Sequence, residues 1–486
     1  VTPAIDRVEL APGFSASRII TGLWQIADQE RHGQAVDLDG TAAAMGPYVE
    51  AGFTSFDMAD HYGSAELVAG RYRASAGGSR VELLTKWVPP PGPVTREAVR
   101  DAVHRALRRL SVERLDLLQF HAWRYQDPSW LDGLFWLDEL RRSGEIGQLG
   151  LTNFDAVHLR MVLETGIPVV SNQVCFSLLD RRPAGPLAAV CASHGVKLLA
   201  YGTLAGGFLT ERWFGKPEPD WDALATWSEM KYARFIRAAG GWEVLQRILS
   251  AAAGIARRHR VSIANVASRA ILDHPAVGAI IIGARLGDRS HLDDNRRVTS
   301  CRLNEEDRRE LDAALATARP LPGDSGDEYR VPPYLTASGD LSHHLAGFPA
   351  PYPTTQLGPG RRQVSTGTTW ETAAGFARAV RVGDRILVSG TTATHGTRPI
   401  GGSDPAAQTH FIIDKIAGAI ESLGGDLSHV VRTRVYLQRL ADWEAVARAH
   451  GERFGSTPPA NTLVRAELIG EEYLVEIEAE AVVPDS

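Results

Sequence analysis

Between residues 18 and 284 the chain alternates short apolar runs, rich in β-branched residues, with longer amphipathic stretches. The runs are RIITGLW, FTSFDMA, VELLTKW, LDLLQFH, IGQLGLTN, PVVSNQVCF, VKLLAYGT and VGAIIIGA. Runs of this length that are apolar on both faces read as buried parallel strands. Between them, TREAVRDAVHRALRRL and PSWLDGLFWLDELRRSG carry apolar positions at helical spacing. Eight strand–helix units in about 270 residues predict an α/β fold, a (β/α)8 barrel of the TIM type. A doubly wound open sheet is the rival, and no G-x-G-x-x-G follows the first run to support it.

The pattern breaks at residue 319. Residues 319–360 are rich in Pro and Gly and read as a linker, leaving residues 1–318 to the barrel and 361–486 to a second module. There ARAVRVGDRILVSG reads as a hairpin turning at Gly383-Asp384. DPAAQTHFIIDKIAGAIESLGG reads as a capped helix ending at a glycine pair. A strand (VVRTRVYLQ), a helix (WEAVARAHGERFG) and two closing strands (NTLVRAEL, YLVEIEAEAVV) complete a smaller α+β domain.

Composition narrows the function classes. The 486 residues carry a formal net charge of −6 and no long basic run, which argues against nucleic acid or an anionic membrane as partner. Three scattered cysteines, Cys175, Cys191 and Cys301, encode neither a disulfide framework nor a zinc motif. The first residues lack an apolar signal segment and no 18-residue apolar stretch occurs, so a cytoplasmic location is the expectation.

In a (β/α)8 barrel, chemistry gathers where the strands end. Those ends supply Asp57 with Tyr62 on the following loop, then Lys86 and His121. A tyrosine titrates near pH 10 and becomes a useful proton donor or base at neutrality only when a cation stabilises its anion. Lys86 supplies the cation, Asp57 holds it, and His121 offers a hydrogen bond to a substrate oxygen. Trp24, Trp87 and Trp123, at or beside strand ends, either wall an aromatic pocket or belong to the core.

FDMADHYG, LLTKW, LDLLQFH and GLTNF, in that order, resemble the aldo-keto reductase superfamily over about residues 15–315. The resemblance implies that Asp57, Tyr62, Lys86 and His121 form a catalytic tetrad for hydride transfer from a nicotinamide to a carbonyl, with no metal. It implies that Thr152, Asn153 and Gln173 hold the carboxamide and that Tyr201 stacks on the nicotinamide. Gly22, Trp24, Gly202, Leu204, Gly283 and Ala284 are implied as further cofactor contacts. Arg285 stands where the family places a cation for the 2′-phosphate, and Asp294 and Asn295 at adenine-side positions. His291 replaces a second arginine that many members carry, with Arg289 two residues away. NADP is therefore expected over NAD, and the substrate is a small carbonyl compound.

The C-terminal module resembles the RidA (YjgF) family through RAVRVGDRILVSGTTA, DPAAQTHFIIDKIAGAIESLGG and PPANTLVRAELIGEEYLVEIEAEAV. The resemblance implies a trimer with clefts between subunits, and in active members hydrolysis of imines and enamines. The arginine that binds the substrate carboxylate in that family is Asn461 here, while Glu476 matches its water-positioning acid. Arg465 shares a strand face with Asn461 but lies about 13 Å along the strand. The module is expected to serve oligomerisation. A bifunctional enzyme, and an NADPH-binding sensor or regulatory subunit, are the alternatives.

Overall fold

The computed structural model describes residues 5–30, 33–75, 77–78, 81–287, 291–330 and 348–484. A hairpin of β1 (Arg7–Ala11) and β2 (Phe14–Ser17) comes first. Eight parallel strands follow: β3 (Ile19–Gly22), β4 (Ser55–Asp57), β5 (Glu82–Trp87), β6 (Leu115–Phe120), β7 (Ile146–Thr152), β8 (Val169–Cys175), β9 (Lys197–Tyr201) and β10 (Val277–Gly283). They pair in chain order and β10 closes on β3, so the expected barrel is present.

Local chemistry explains the surrounding helices. Arg96–Leu110 starts at Thr95, whose hydroxyl accepts from the Ala98 amide at 3.2 Å, and it buries Val99, Ala102, Val103, Ala106 and Leu110. That three-and-four spacing is one helical face laid on the barrel.

Inside the barrel, strand alternation sorts the residues by depth. Leu10, Ala16, Ile20, Leu84, Leu117, Leu199, Ala279 and Ile281 form a dry cluster around and below mid-barrel. Two residues further along, the same inward rows turn polar, as Leu84 is followed by Lys86 and Leu117 by Gln119. The apolar plug keeps water from the lower barrel, and the polar row sits at the strands' C-terminal ends.

The long excursion after β9 folds against this end. It contains the helices Trp227–Ala239, Trp242–His259 and Ile263–Leu272, with Phe208, Trp213, Trp221 and Trp242 packed on one another.

Part of the stretch read as linker has structure. Asp327–Arg330 forms one helical turn, and Thr354–Gly358 forms β11, an edge strand paired antiparallel with β12 (Arg361–Val364). The second domain continues with β13 (Ala379–Val382), β14 (Arg385–Thr392), β15 (Thr394–His395), β16 (Arg398–Pro399), β17 (Val430–Leu437), β18 (Ala460–Arg465) and β19 (Val475–Val482). Its seven-stranded sheet has the order β11-β12-β13-β14-β19-β17-β18, with only the β17–β18 pair parallel. The helix Pro405–Ser422 is buried along most of its length because it packs on this sheet and also on the barrel helix Ala156–Glu164.

The two domains share polar contacts as well as an apolar core. His158 lies between two carboxylates, Nδ1 to Asp155 and Nε2 to Asp414, each at 2.8 Å. Arg453 reaches the other oxygen of Asp414 at 2.7 Å, and Tyr125 stacks on the imidazole at 3.3 Å. Burial alone would lower the His158 pKa, but the two carboxylates override it and raise it. Both ring nitrogens face acceptors, so the imidazolium is the form that fits. Three more pairs cross the junction: Arg124–Glu421, Arg160–Asp404 at 3.0 Å and His395–Asp132 at 2.8 Å. Among the described residues no helix is long and apolar enough to cross a membrane.

Candidate active site

Asp57 ends β4 with a fully engaged carboxylate. Oδ2 accepts from Lys86 Nζ at 2.6 Å, and Oδ1 accepts from Gln173 Nε2 at 2.6 Å and Gln119 Nε2 at 3.2 Å. Gln173 also donates to Gln119 Oε1 at 2.9 Å. Asp57, Lys86, Gln119 and Gln173 are all buried, with at most 3% of each exposed. Burial lowers the Lys86 pKa, and the charge and hydrogen bond of Asp57 oppose that shift. The amine lies 4.8 Å from the centroid of the Tyr62 ring.

The loop carrying Tyr62 is held from below. Gly63 follows it with φ +52°, and a Cβ there would stand 1.8 Å from Glu30 Oε2. The same Glu30 oxygen accepts from the Ser64 amide at 2.8 Å. Only a residue without a side chain passes between Tyr62 and the helix Ala65–Arg73, so Gly63 fixes where the phenol ring goes.

His121 follows β6 and is 2% exposed. Its Nε2 is buried without a hydrogen-bond partner among the described residues, and Nδ1 lies 3.4 Å from the Thr152 carbonyl. Burial, then the nearby charge of Arg330, pushes its pKa well below the ordinary value, so the ring is neutral at physiological pH. Nδ1 faces a carbonyl that can only accept, and the 3.4 Å length of that contact makes it weak enough for a substrate oxygen at Nε2 to draw the proton there.

The other expected positions divide. Trp123 lies edge-on to His121 at 4.8 Å, its indole N–H donating to the Pro89 carbonyl at 2.7 Å. Trp24 opens the short helix Trp24–Gln29 directly after β3. Trp87, next to inward Lys86, packs against Phe120 in the apolar layer outside the strands. Trp123 therefore packs on His121, whereas Trp87 packs on Phe120.

Thr152 spends its hydroxyl on the Gln173 carbonyl at 3.1 Å. Asn153 adopts φ +60°, a conformation asparagine tolerates better than most residues, and accepts from the Tyr201 hydroxyl at 2.9 Å. Beyond Tyr201, Gly202 turns with φ +75° and Leu204 is part-buried. Gln25 Oε1 and Thr203 Oγ1 are buried without partners among the described residues, and Gln25 abuts Gly283, where a Cβ would stand 2.3 Å from its Nε2. The unanswered oxygens of Gln25 and Thr203, which follow the ends of β3 and β9, are acceptors that the N–H groups of a nicotinamide carboxamide can satisfy.

At the far side, Gly22 pairs with Gly283, and Ala284 and part-buried Arg285 follow. An open groove runs from Gln34–Asp37 to Leu286–Gly287. Asp294 accepts from Ser262 at 2.8 Å and Asn265 at 3.0 Å, so it anchors the helix Leu292–Arg297 that carries Asn295. His291 precedes that helix, and Arg289 lies outside the described residues.

Sequence reasoning missed Gln119. Its signal was present: a polar residue two positions before His121, on the same inward row of an apolar strand.

In the second domain Asn461 and Glu476 are apart. Asn461 pairs in register with Thr433 and donates to its hydroxyl at 2.9 Å, whereas Glu476 pairs with Tyr436 on the other side of β17. Three residues separate those positions, about 10 Å along the strand. Glu476 is part-buried, and its pKa is raised by burial.

Residues 18–316 match the family model described as "Aldo/keto reductase family", and residues 366–483 the one described as "Endoribonuclease L-PSP". Protein tas of Escherichia coli is 29% identical over 307 residues, spanning 54% of this chain and 86% of its own length. An uncharacterized protein, SCO2049, of Streptomyces coelicolor is 43% identical over 121 residues, spanning 25% of this chain and 90% of its own. In fold, the glycerol dehydrogenase of Gluconobacter oxydans aligns with a TM-score of 0.55 at 23% identity, covering 66% of this chain and 98% of that one.

Proposed function

The chain belongs to the aldo/keto reductase family and is an NAD(P)H-dependent oxidoreductase acting on carbonyl groups; on that premise we propose that Asp57, Tyr62, Lys86 and His121 are its catalytic residues and NADPH its reductant. The observation that carries this reading is the buried Lys86–Asp57 pair at 2.6 Å with its amine beside Tyr62. A bound nicotinamide supplies the hydride. Tyr62 delivers the proton to the carbonyl oxygen, and Lys86 stabilises the phenolate left behind. Asp57 keeps Lys86 in place through three hydrogen bonds to its own oxygens, which leaves it no part in proton transfer. His121, neutral with its proton on Nε2, donates to the same substrate oxygen and orients it. Asn153 and Gln25 hold the carboxamide, and Tyr201 backs the ring. NADPH consumption across a panel of aldehydes and ketones tests the reading, and a chain that oxidises NADPH with none of them would refute it.

Arg285 supports the preference for NADPH. A guanidinium bound to a 2′-phosphate makes charge-assisted bonds that NADH cannot offer. Arg285→Ala is expected to raise KM for NADPH about 10- to 100-fold and to change KM for NADH little. An equal loss with both cofactors would remove Arg285 from phosphate recognition.

The C-terminal domain, on this reading, assembles the protein rather than hydrolysing imines. Asn461 is committed to Thr433 and carries no charge for a carboxylate. The sheet face away from the helices is open and exposes Leu387 and Val482. A homo-oligomer through this face, a trimer by the family pattern, is the expected result of light scattering on the intact chain; a monomer at micromolar concentration would contradict it.

A further inference from the structure

The segment after the barrel sets a second cation beside His121. Buried Arg182 holds that segment in place: it pairs with Asp180 at 2.7 Å and Glu328 at 2.9 Å, and donates to the Asp324 carbonyl at 2.9 Å. The helical turn Asp327–Arg330 is thereby pinned over the ends of the strands. Tyr329 lies edge-on to His121 at 5.7 Å, and its hydroxyl meets Lys231 Nζ at 2.6 Å and the Tyr201 hydroxyl at 3.4 Å.

Arg330 Nε donates to the carbonyl of Ala122, the residue after His121, at 3.0 Å. The guanidinium carbon lies 4.4 Å over the Tyr125 ring. Both terminal nitrogens are enclosed, and neither has a hydrogen-bond partner among the described residues. No carboxylate among the described residues lies within ion-pair distance of this arginine, and the buried Asp155 feels its charge only from further away. A surface arginine without a partner is solvated, but an enclosed one forfeits both water and acceptor, at a cost well above that of a neutral donor. His121 Nε2, one residue before the carbonyl that holds Arg330 Nε, is also buried without a partner among the described residues.

These two unanswered groups describe one ligand. His121 calls for a carbonyl oxygen. The guanidinium has one planar face covered by Tyr125 and its Nε spent on Ala122, so its Nη edge is what it has left to offer. Two parallel N–H groups on one edge match the two oxygens of a planar carboxylate. We propose that the substrate is an oxo acid, an aldehyde or ketone that also carries a carboxylate, and that Arg330 binds the carboxylate while the carbonyl oxygen lies between Tyr62 and His121. This rests on the reductase reading given above. Arg330 lies beyond residue 316, where the family match ends.

The test compares two aldehydes that differ by one charge, 4-carboxybenzaldehyde and methyl 4-formylbenzoate, with NADPH and the full chain. The wild-type protein is expected to favour the acid at least about tenfold in kcat/KM, chiefly through KM. Arg330→Met is expected to cut kcat/KM for the acid at least about 30-fold more than for the ester, chiefly through KM. Arg330→Lys should restore part of the loss, since charge returns without the fork. Benzoate, and not benzamide, should compete with the ester, and Arg330→Met should abolish that competition. Equal losses on both aldehydes would make Arg330 a packing residue and overturn the proposal. So would a wild-type enzyme that reduces the ester without preferring the acid, an outcome that leaves the reductase reading standing. Reduction of neither aldehyde by the wild type would overturn this proposal, and failure across the whole panel would overturn the reductase reading with it.

Discussion

Tyr62→Phe is expected to lower kcat for carbonyl reduction by about 10²- to 10⁴-fold, the usual contribution of a positioned proton donor. The reason is local. The substituted ring keeps its place above Gly63 and its contact with Lys86, so the change deletes the hydroxyl and nothing else. No neighbour can replace it: Asp57 has both oxygens in hydrogen bonds to Lys86, Gln119 and Gln173. His121 is neutral, with a pKa pushed well below its ordinary value by burial and Arg330, and holds its proton as a hydrogen-bond donor rather than as an acid. NADPH binding, followed by quenching of protein fluorescence, should be unchanged, which separates lost chemistry from lost cofactor. Turnover at the wild-type rate would remove Tyr62 from the reaction and with it the role given to Lys86.

The second large effect is on stability at the domain junction. Asp414→Asn is expected to cost about 3–5 kcal/mol, because it strips a carboxylate from a buried site that also holds Arg453 and the imidazolium of His158. Glu421→Gln breaks a more solvated cross-junction pair with Arg124 and should cost only about 0–1 kcal/mol. Chemical denaturation of both variants checks the contrast, and equal costs would show that the His158 cluster is not what secures the junction.

The pH dependence has opposing parts. His158 is raised in the folded chain, so its contribution is complete below about pH 6.5 and is lost as pH rises through the raised value. Asp414 would be raised by burial but is lowered overall by Arg453 and His158, so its contribution is present above about pH 3.9 and lost as pH falls. His410 acts in the other sense. Burial, then Arg453, lowers it to about 4, so the unfolded chain binds a proton that the folded one refuses and stability falls between about pH 6.5 and that value. The junction should therefore weaken on acidification before Asp414 titrates, and His410→Gln should flatten that first loss. A denaturation midpoint equally pH-dependent in the variant would exclude His410 as the source.

Much of the site was legible because the barrel writes its chemistry at regular places. Lys86 and His121 are polar residues at the ends of apolar runs, and Asp57–Tyr62 stands where a strand opens into a loop. Gln119 escaped notice although it follows the same alternation, since a glutamine two residues inside a strand looks like any tolerated polar residue. Trp87 shows a converse limit: its adjacency to Lys86 left it open between pocket and core, and alternation turns it toward Phe120. Asn461 and Glu476, both matched to one family site, lie on strands at opposite sides of β17, a separation that strand pairing sets and strand order along the chain does not reveal.

By itself the sequence determined the eight strands, the second domain and the family, and it singled out Asp57, Tyr62, Lys86 and His121, because each follows from short-range periodicity or from residues at fixed offsets. Only the tertiary structure decided what Asp57 is committed to, why Gly63 must be a glycine, and that His158 is clamped between Asp155 and Asp414 across the two domains. It also decided that Arg330, 209 positions after His121 in the chain, comes to lie beside it. The pinning of its segment by Arg182 joins residues far apart in the chain, and contacts of that range depend on the closed barrel rather than on any local pattern.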